Sequence, residues 1–344
     1  MPKSKAAASV HVQPGTRRYR LVFHNAMSIE KELSIINPYK NTLITIGVFD
    51  GVHIGHQSLL SFLNRKAKEN GYLSVAITFK KHPETIVSSV KQLPWLTDLA
   101  TRLSLIKNAG IDHVIALPFD KEISRMDAQR FTGLLQKYLK MSGLVIGPDF
   151  VMGSHRQGDA DMLRQLGAEN GFSVDVVNPF FYNGEMISSS SIRRILAQGD
   201  VKKAGYFLGR PFQFSGSVIK GDRRGTLLGF PTANLVPKSE FAVPGNGIYM
   251  TTTIIDGKLL PSVTNIGIKP TFKGQERLIE THILDYNGDL YGKTISIDFI
   301  DRIRDEKRFN TIDELKEQIA LDIEVTRAQL SKKLAHEETV EWRN

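Results

Sequence analysis

The chain has 344 residues, 41% apolar and 24% charged, with no cysteine and a net charge of +9. That length predicts two domains, each with enough apolar surface for a core, and the missing cysteines exclude disulfides and thiolate metal sites. No run approaches the ~20 apolar residues of a membrane-crossing helix, and Met1–Arg20 lacks the apolar segment of a secretory signal, so the chain reads as cytoplasmic.

The positive charge is unevenly spread. Lys3, Lys5, Arg17, Arg18 and Arg20 all precede the first acid, Glu30, leaving +4 for the remainder. The excess therefore marks residues 1–20 as a flexible basic extension. No zinc finger, helix-turn-helix or RNA-binding aromatic signature accompanies it, which argues against a nucleic-acid partner. Anionic small molecules suffice.

Taken in chain order, the first strand is Leu43–Gly47, followed by the turn Gly47-Val48-Phe49-Asp50-Gly51-Val52-His53-Ile54-Gly55-His56 and a helix opening near Gln57. Gly47, Gly51 and Gly55 allow close approach of backbone to a ligand, and a helix N-terminus presents unpaired N–H groups. Two imidazoles at such a point, His53 and His56, describe a site for nucleotide phosphate. Further strands are predicted at Ser74–Thr78, His113–Leu117, Gly143–Ile146 and Ser173–Val177. Amphipathic helices alternate with them at Ser58–Glu69, Leu99–Asn108, Ala128–Leu139 and Ala160–Asn170. Such alternation predicts a Rossmann-like parallel sheet covered by helices. The serine cluster Ser188–Ser191 then precedes a helical run at Ile195–Gln198. It reads as an N-cap, or as a phosphate grip with Arg193 one turn on.

The style changes after Gly209-Arg210-Pro211. Short alternating strands at Phe212–Ile219, Gly247–Ile255, Leu260–Ile266, Glu280–Leu284 and Thr294–Ile300 are separated by turn signals at Gly221-Asp222, Asp256-Gly257 and Asn287-Gly288. This predicts an antiparallel β-barrel. The loop Gly221–Asn234 is glycine-rich and basic and leads to Thr232 and Asn234. It reads as a barrel hairpin with a proline turn, although two neutral oxygen ligands also suit Mg2+. Thr311-x-x-Glu314 announces a final helix with an apolar face of Leu315, Ile319, Ile323 and Leu330. The expected division is a first domain at 21–205, a second at 206–332 and a charged tail at 333–344.

The Gly47–His56 run resembles the His-x-Gly-His element of nucleotidyltransferases, and its full length is similar to bacterial bifunctional riboflavin kinase/FMN adenylyltransferases, or FAD synthetases. Ser188, Ser189, Ser190 and Arg193 match that family's Ser-Ser-Thr-x-Ile-Arg element, with Ser190 in the threonine's place. Gly147–Gly153 matches its Gly-x-Asp/Asn-Phe-x-x-Gly loop. Thr78–Pro83 corresponds to Thr-Phe-Asp-Pro-His-Pro, with Lys80 and Lys81 replacing the aspartate and proline. Phe230-Pro231-Thr232-Ala233-Asn234 and Ile279-Glu280-Thr281-His282 resemble the riboflavin kinase half.

The resemblance implies an α/β nucleotidyltransferase domain followed by a β-barrel riboflavin kinase domain with a C-terminal helix. It implies ATP, riboflavin and FMN as substrates, with Mg2+ held at Thr232 and Asn234. By the same resemblance His53, His56 and Glu280 are catalytic, Glu280 as general base. ATP and its phosphates fall to Gly47, Phe49, Gly51, Gly55, Ser188, Ser189, Ser190, Arg193, Gly221 and Gly225. Flavin falls to His82, Asp149, Phe150 and Arg304. The Lys80-Lys81 departure leaves open a kinase with another first-domain substrate, and the basic arm a flavin-binding regulator.

Overall fold

The computed structural model describes residues 28–87, 93–153, 157–221, 224–271 and 274–337. The basic extension expected at 1–20, the loop residues Asp222 and Arg223, and everything beyond Glu337 lie outside them. After helix α1 (Ile29–Ser34), five strands build the first sheet: β1 (Thr42–Ile46), β2 (Leu73–Phe79), β3 (His113–Leu117), β4 (Met141–Ile146) and β5 (Ser173–Val176). All pair in parallel, in the order β3-β2-β1-β4-β5. Between them run α2 (Ile54–Glu69), α3 (Glu84–Val87), α4 (Leu99–Asn108), α5 (Lys121–Arg125), α6 (Ala128–Leu139) and α7 (Ala160–Asn170).

The central strands are apolar on both faces because helices cover both. Ile44, Ile46, Val75, Ile77 and Leu144 pack with Phe131 and Leu135 of α6 and Leu163 of α7. The alternate residues Leu43, Ala76 and Val145 pack on the other face with Leu60 and Leu63 of α2 and Ile106 of α4. The strand order reverses between β1 and β4, so their carboxyl ends flank the crevice where such sheets bind ligands.

A small hairpin, β6 (Phe181–Tyr182) and β7 (Glu185–Met186), leads to α8 (Ser189–Ala197) and α9 (Val201–Leu208). The second sheet comprises β8 (Phe212–Ser217), β9 (Ala233–Leu235), β10 (Gly247–Ile255), β11 (Lys258–Thr271), β12 (Gly274–Ile283) and β13 (Thr294–Arg304), with the short helix α10 (Arg224–Leu228) before β9. Its antiparallel order is β8-β13-β10-β11-β12-β9. A bridge between Ile219, just beyond β8, and Asn234 of β9 brings the two edges together and curls the sheet into a barrel. The Asp256-Gly257 signal forms the tight β10–β11 turn, both residues at positive φ (49° and 77°), as a primed hairpin turn requires.

Tyr249, Ile266, Ile279, Ile297 and Phe299 fill the barrel. Ile192 and Ile195 of α8, Val201 and Phe207 of α9, and Leu96 of the first unit belong to that same cluster. Helices α8 and α9 precede or span Gly205 in the chain, yet they bury their apolar faces with the barrel. The last helix, α11 (Ile312–Glu337), packs along β11, and its helical turns continue through residue 337. Its start is capped as its sequence suggests: Thr311 Oγ1 accepts from the Glu314 N–H (3.2 Å), while the Glu314 carboxylate accepts from the Asn310 N–H (3.0 Å).

Candidate functional site

Helix α2 begins at Ile54, earlier than its apolar pattern suggests, because His53 serves as its N-cap. The His53 Nδ1 atom accepts from the His56 N–H at 3.3 Å, and the two imidazoles stack with centroids 3.6 Å apart. Phe49 meets His56 edge-on at 5.2 Å, and a Cβ on Gly47 would stand 3.0 Å from the Phe49 ring. The turn itself is strained. Phe49, Gly51 and Val52 have φ of 51°, 78° and 39°, and a β-branched residue at positive φ is an outlier that its surroundings must hold. Gly55 lies directly under the His53 ring, where a Cβ would meet Nδ1 at 3.2 Å.

Burial, then the nearby Arg210 guanidinium, depress the His53 imidazole from 6.5 to about 4. Burial also pushes His56 well below its ordinary value, with His53 and Arg102 acting in the same direction. Both rings are therefore neutral at pH 7. As pH falls below 6.5 the unfolded chain takes up the His53 proton while the folded chain resists until about 4. Folding stability is thus lost through that window, by about 3 kcal/mol from His53 alone. Thermal melts between pH 7 and 4 should show this loss, and His53→Gln should flatten part of the slope.

Asp50 anchors the turn from below. It is 1% exposed, and its carboxylate accepts from the Leu96 N–H (3.0 Å) and the Thr97 N–H (3.3 Å) and pairs with the Arg193 guanidinium. Burial raises its pKa, against the pull of Arg193. Arg193 also donates to the Pro94 carbonyl (2.6 Å), and Ser189 Oγ donates to the Asp50 carbonyl (2.9 Å). Ser188 caps α8 in a reciprocal capping box with Ser191, whereas Ser190 is exposed. The serine-arginine element thus stands against the histidine turn across 143 residues of chain. Asp50→Asn strips the Arg193 guanidinium, 11% exposed, of its buried counter-charge, which costs up to about 3–5 kcal/mol. A matching fall in stability by urea unfolding is the expected result.

Arg102 completes this frame. It is 1% exposed, donates to the carbonyls of Val48 (3.0 Å) and Phe79 (2.8 Å), and stacks over Trp95 at 4.2 Å. His82, on the loop after β2, lies 5.3 Å from the same Trp95 ring. Lys80 pairs with Glu32 of α1 at 2.8 Å, so a carboxylate absent from the local motif is supplied from elsewhere; Lys81 is exposed. In the loop after β4, Phe150 packs on the sheet cluster, Asp149 is exposed, and the Phe150 N–H bonds the Gly147 carbonyl (3.2 Å).

In the barrel, a cavity of about 540 Å³ lies between the outer face of β11 and β12 and helix α11. It collects Gly225, Thr232, Asn234, Glu280 and Arg304. The strand register sets Asn265, Glu280 and Asn234 side by side across β11, β12 and β9, so one row carries a carboxylate between two amides. The Asn265 amide donates to Glu280 at 3.4 Å, while its Oδ1 is buried without a partner. A Cβ on Gly225 would stand 3.2 Å from Thr232 Oγ1, and one on Gly221 closer still, 2.5 Å from the Asn234 amide nitrogen. Arg304 is held by Asp322 of α11 at 2.8–3.2 Å. Leu315, Ile319 and Ile323 line the cavity, but the deeply buried stripe of α11 is Asp322, Thr326 and Leu330.

Sequence reasoning assigns no role to Asp50, Arg102, Asn265 or Asp322. Two of these carry a signal in their helix pattern. Arg102 sits with Leu103 and Ile106 on a buried helix face, and Asp322 falls on the apolar stripe through Leu315 and Ile319. Asn265 stands in the family-like run Thr264-Asn265-Ile266-Gly267, but only strand register brings it to Glu280. Among the described residues, no cluster of three His, Cys, Asp or Glu side chains could hold a metal, and no helix is long and apolar enough to cross a membrane.

An α/β sheet with a histidine turn at its switch point is thus joined to a barrel with an acid-amide row, the two-domain architecture of the bifunctional transferases that the chain matches. Residues 36–191 match the FAD synthetase family model and residues 208–330 the riboflavin kinase model. The chain is 38% identical over 287 residues to the bifunctional riboflavin kinase/FMN adenylyltransferase of Escherichia coli K12, covering 83% of this chain and 91% of that one. The Pseudomonas fluorescens protein of the same name is 34% identical over 305 residues, covering 88% and 97%. A solved structure from Streptococcus pneumoniae, described as a macrolide-efflux protein, matches with a TM-score of 0.79 and 31% identity, over 84% of this chain and 95% of that one. The chain belongs to the bifunctional riboflavin kinase/FMN adenylyltransferase family.

Proposed function

We infer that this protein phosphorylates riboflavin to FMN at the barrel and adenylylates FMN to FAD at the α/β sheet, using ATP in both reactions. The observation that carries the reading is the Asn265–Glu280–Asn234 row inside the 540 Å³ cavity. There a ribityl hydroxyl attacks the γ-phosphorus of ATP. The new O–P bond forms as the bond to the β-phosphate oxygen breaks, ADP departs, and Glu280 takes the hydroxyl proton. Asn265 orients the carboxylate, and Arg304, fixed by Asp322, borders the flavin.

The donor set near Glu280 fits Mg2+, which favours neutral oxygens and keeps its own waters. Thr232 and Asn234 would hold it, and its charge would neutralise the transferring phosphoryl group. Gly221 and Gly225 let the loop backbone lie close to the nucleotide phosphates.

At the first site an FMN phosphate oxygen attacks the α-phosphorus of ATP and pyrophosphate leaves. With His53 Nδ1 accepting from backbone, the neutral ring carries its proton on Nε2 and donates from there. His53 and His56 stabilise the charge that grows on the α-phosphate oxygens. Gly47, Phe49, Gly51 and Gly55 shape the turn around the ATP, and Ser188, Ser189, Ser190 and Arg193 face the departing pyrophosphate. His82, Asp149 and Phe150 border the flavin; the Lys80–Glu32 pair keeps that loop close to charge balance, which supports FMN as acceptor. The two activities divide at 21–205 and 206–332, with α9 as the joint, and we assign the protein to the cytoplasm.

Purified protein incubated with riboflavin and Mg-ATP should yield FMN and then FAD by chromatography. Consumption of ATP without either flavin product overturns the reading.

A further inference from the structure

The turn that presents His53 and His56 is not held by the α/β unit alone. Arg210 lies within the stretch matched by the riboflavin kinase model, one residue past the left-handed Gly209 that ends α9. Its guanidinium reaches back to donate to the carbonyls of Gly51 (2.7 Å) and Val52 (3.3 Å), and to that of Leu208 (3.1 Å). Gln57 of α2 makes the complementary clamp, its amide donating to Val52 and Leu208 carbonyls, both at 2.8 Å. The approach is tight: a Cβ on Gly209 would stand 3.0 Å from Ile54 and one on Gly51 3.2 Å from Leu208. The gripped carbonyls belong to the two left-handed residues directly before His53, and Val52 is the one whose side chain most opposes that conformation.

We propose that Arg210 is a positioning residue for adenylyl transfer, so that the segment opening the barrel completes the site of the α/β unit. The inference rests on the adenylyl-transfer reading above. A planar fork that donates to two successive carbonyls fixes the direction of the turn, and with it the orientation of both imidazoles at the start of α2. Displacing a reacting group by about 1 Å can cost 10²-fold in rate. Lysine, with its point charge, cannot reproduce the fork.

The test compares Arg210→Lys and Arg210→Met with the wild-type full-length chain. FAD formation from FMN should fall at least about tenfold in kcat in both variants, with a smaller change in KM for ATP. Riboflavin phosphorylation by the same preparations should stay within about twofold, since the row at Glu280 is untouched. NMR titration of the His53 ring, whose charged and titratable neighbours are His56 and Arg210, adds a readout independent of turnover. Its midpoint should rise from about 4 in the Met variant and stay low in the Lys variant. Unchanged FAD formation in both variants overturns the inference. So does a parallel fall of both activities with a lowered melting temperature, which would make Arg210 a structural tie only. A wild-type chain that makes FMN but no FAD removes the functional reading and this inference with it, an outcome distinct from active wild type with unaffected variants.

Discussion

Glu280→Gln should lower riboflavin phosphorylation by about 10²–10⁴-fold, the range lost when a general base is removed. The substitution keeps the side chain's shape and its ability to accept from Asn265, whose amide lies 3.4 Å away, so the cross-strand row survives. What disappears is the only carboxylate in that row, and with it the proposed proton acceptor for the ribityl hydroxyl. Conversion of added FMN to FAD by the same variant serves as the internal control, because the histidine turn lies on another sheet. Phosphorylation within a few-fold of wild type would remove Glu280 from the mechanism. Loss of both activities would point to a disturbed fold.

His56→Ala should produce the opposite pattern, with FAD formation reduced by about 10²–10³-fold and FMN formation intact. The change acts twice. It deletes one proposed donor to the α-phosphate, and it removes the ring on which His53 stacks at 3.6 Å and against which Phe49 packs at 5.2 Å. The backbone N–H that caps onto His53 is retained, so α2 should still begin at Ile54. Single-turnover adenylylation with saturating ATP and FMN would separate the chemical step from binding, and an unchanged rate would sink the assignment.

Both sites owe much to motifs legible in the chain. His53 and His56 lie three residues apart after a buried strand, and local geometry alone puts them at a helix start. Thr232 and Asn234 alternate on one strand end, so period-two geometry sends them to a common face. The serine-arginine element was readable as a cap, and Ser188 is one; that it stands against Asp50 was not readable, since 138 residues separate Ser188 from Asp50 in the chain. Lys80-Lys81 looked like a charge excess from its neighbours in sequence. The balancing Glu32 comes from a six-residue helix whose pattern was too short to read.

By itself the sequence determined the alternation of strand and helix, the later turn-separated strands, and the residue types available at each site. These depend on periodicity, glycine placement and capping, all of which act over a few residues. Only the tertiary structure decided which distant groups meet: Arg193 with Asp50, Asn265 with Glu280, Arg304 with Asp322, and Arg210 with the Gly51–Val52 turn. It also decided that α8 and α9 bury their apolar faces with the barrel. Such meetings follow from strand register and from apolar surfaces seeking cover, and neither leaves a local trace in the chain.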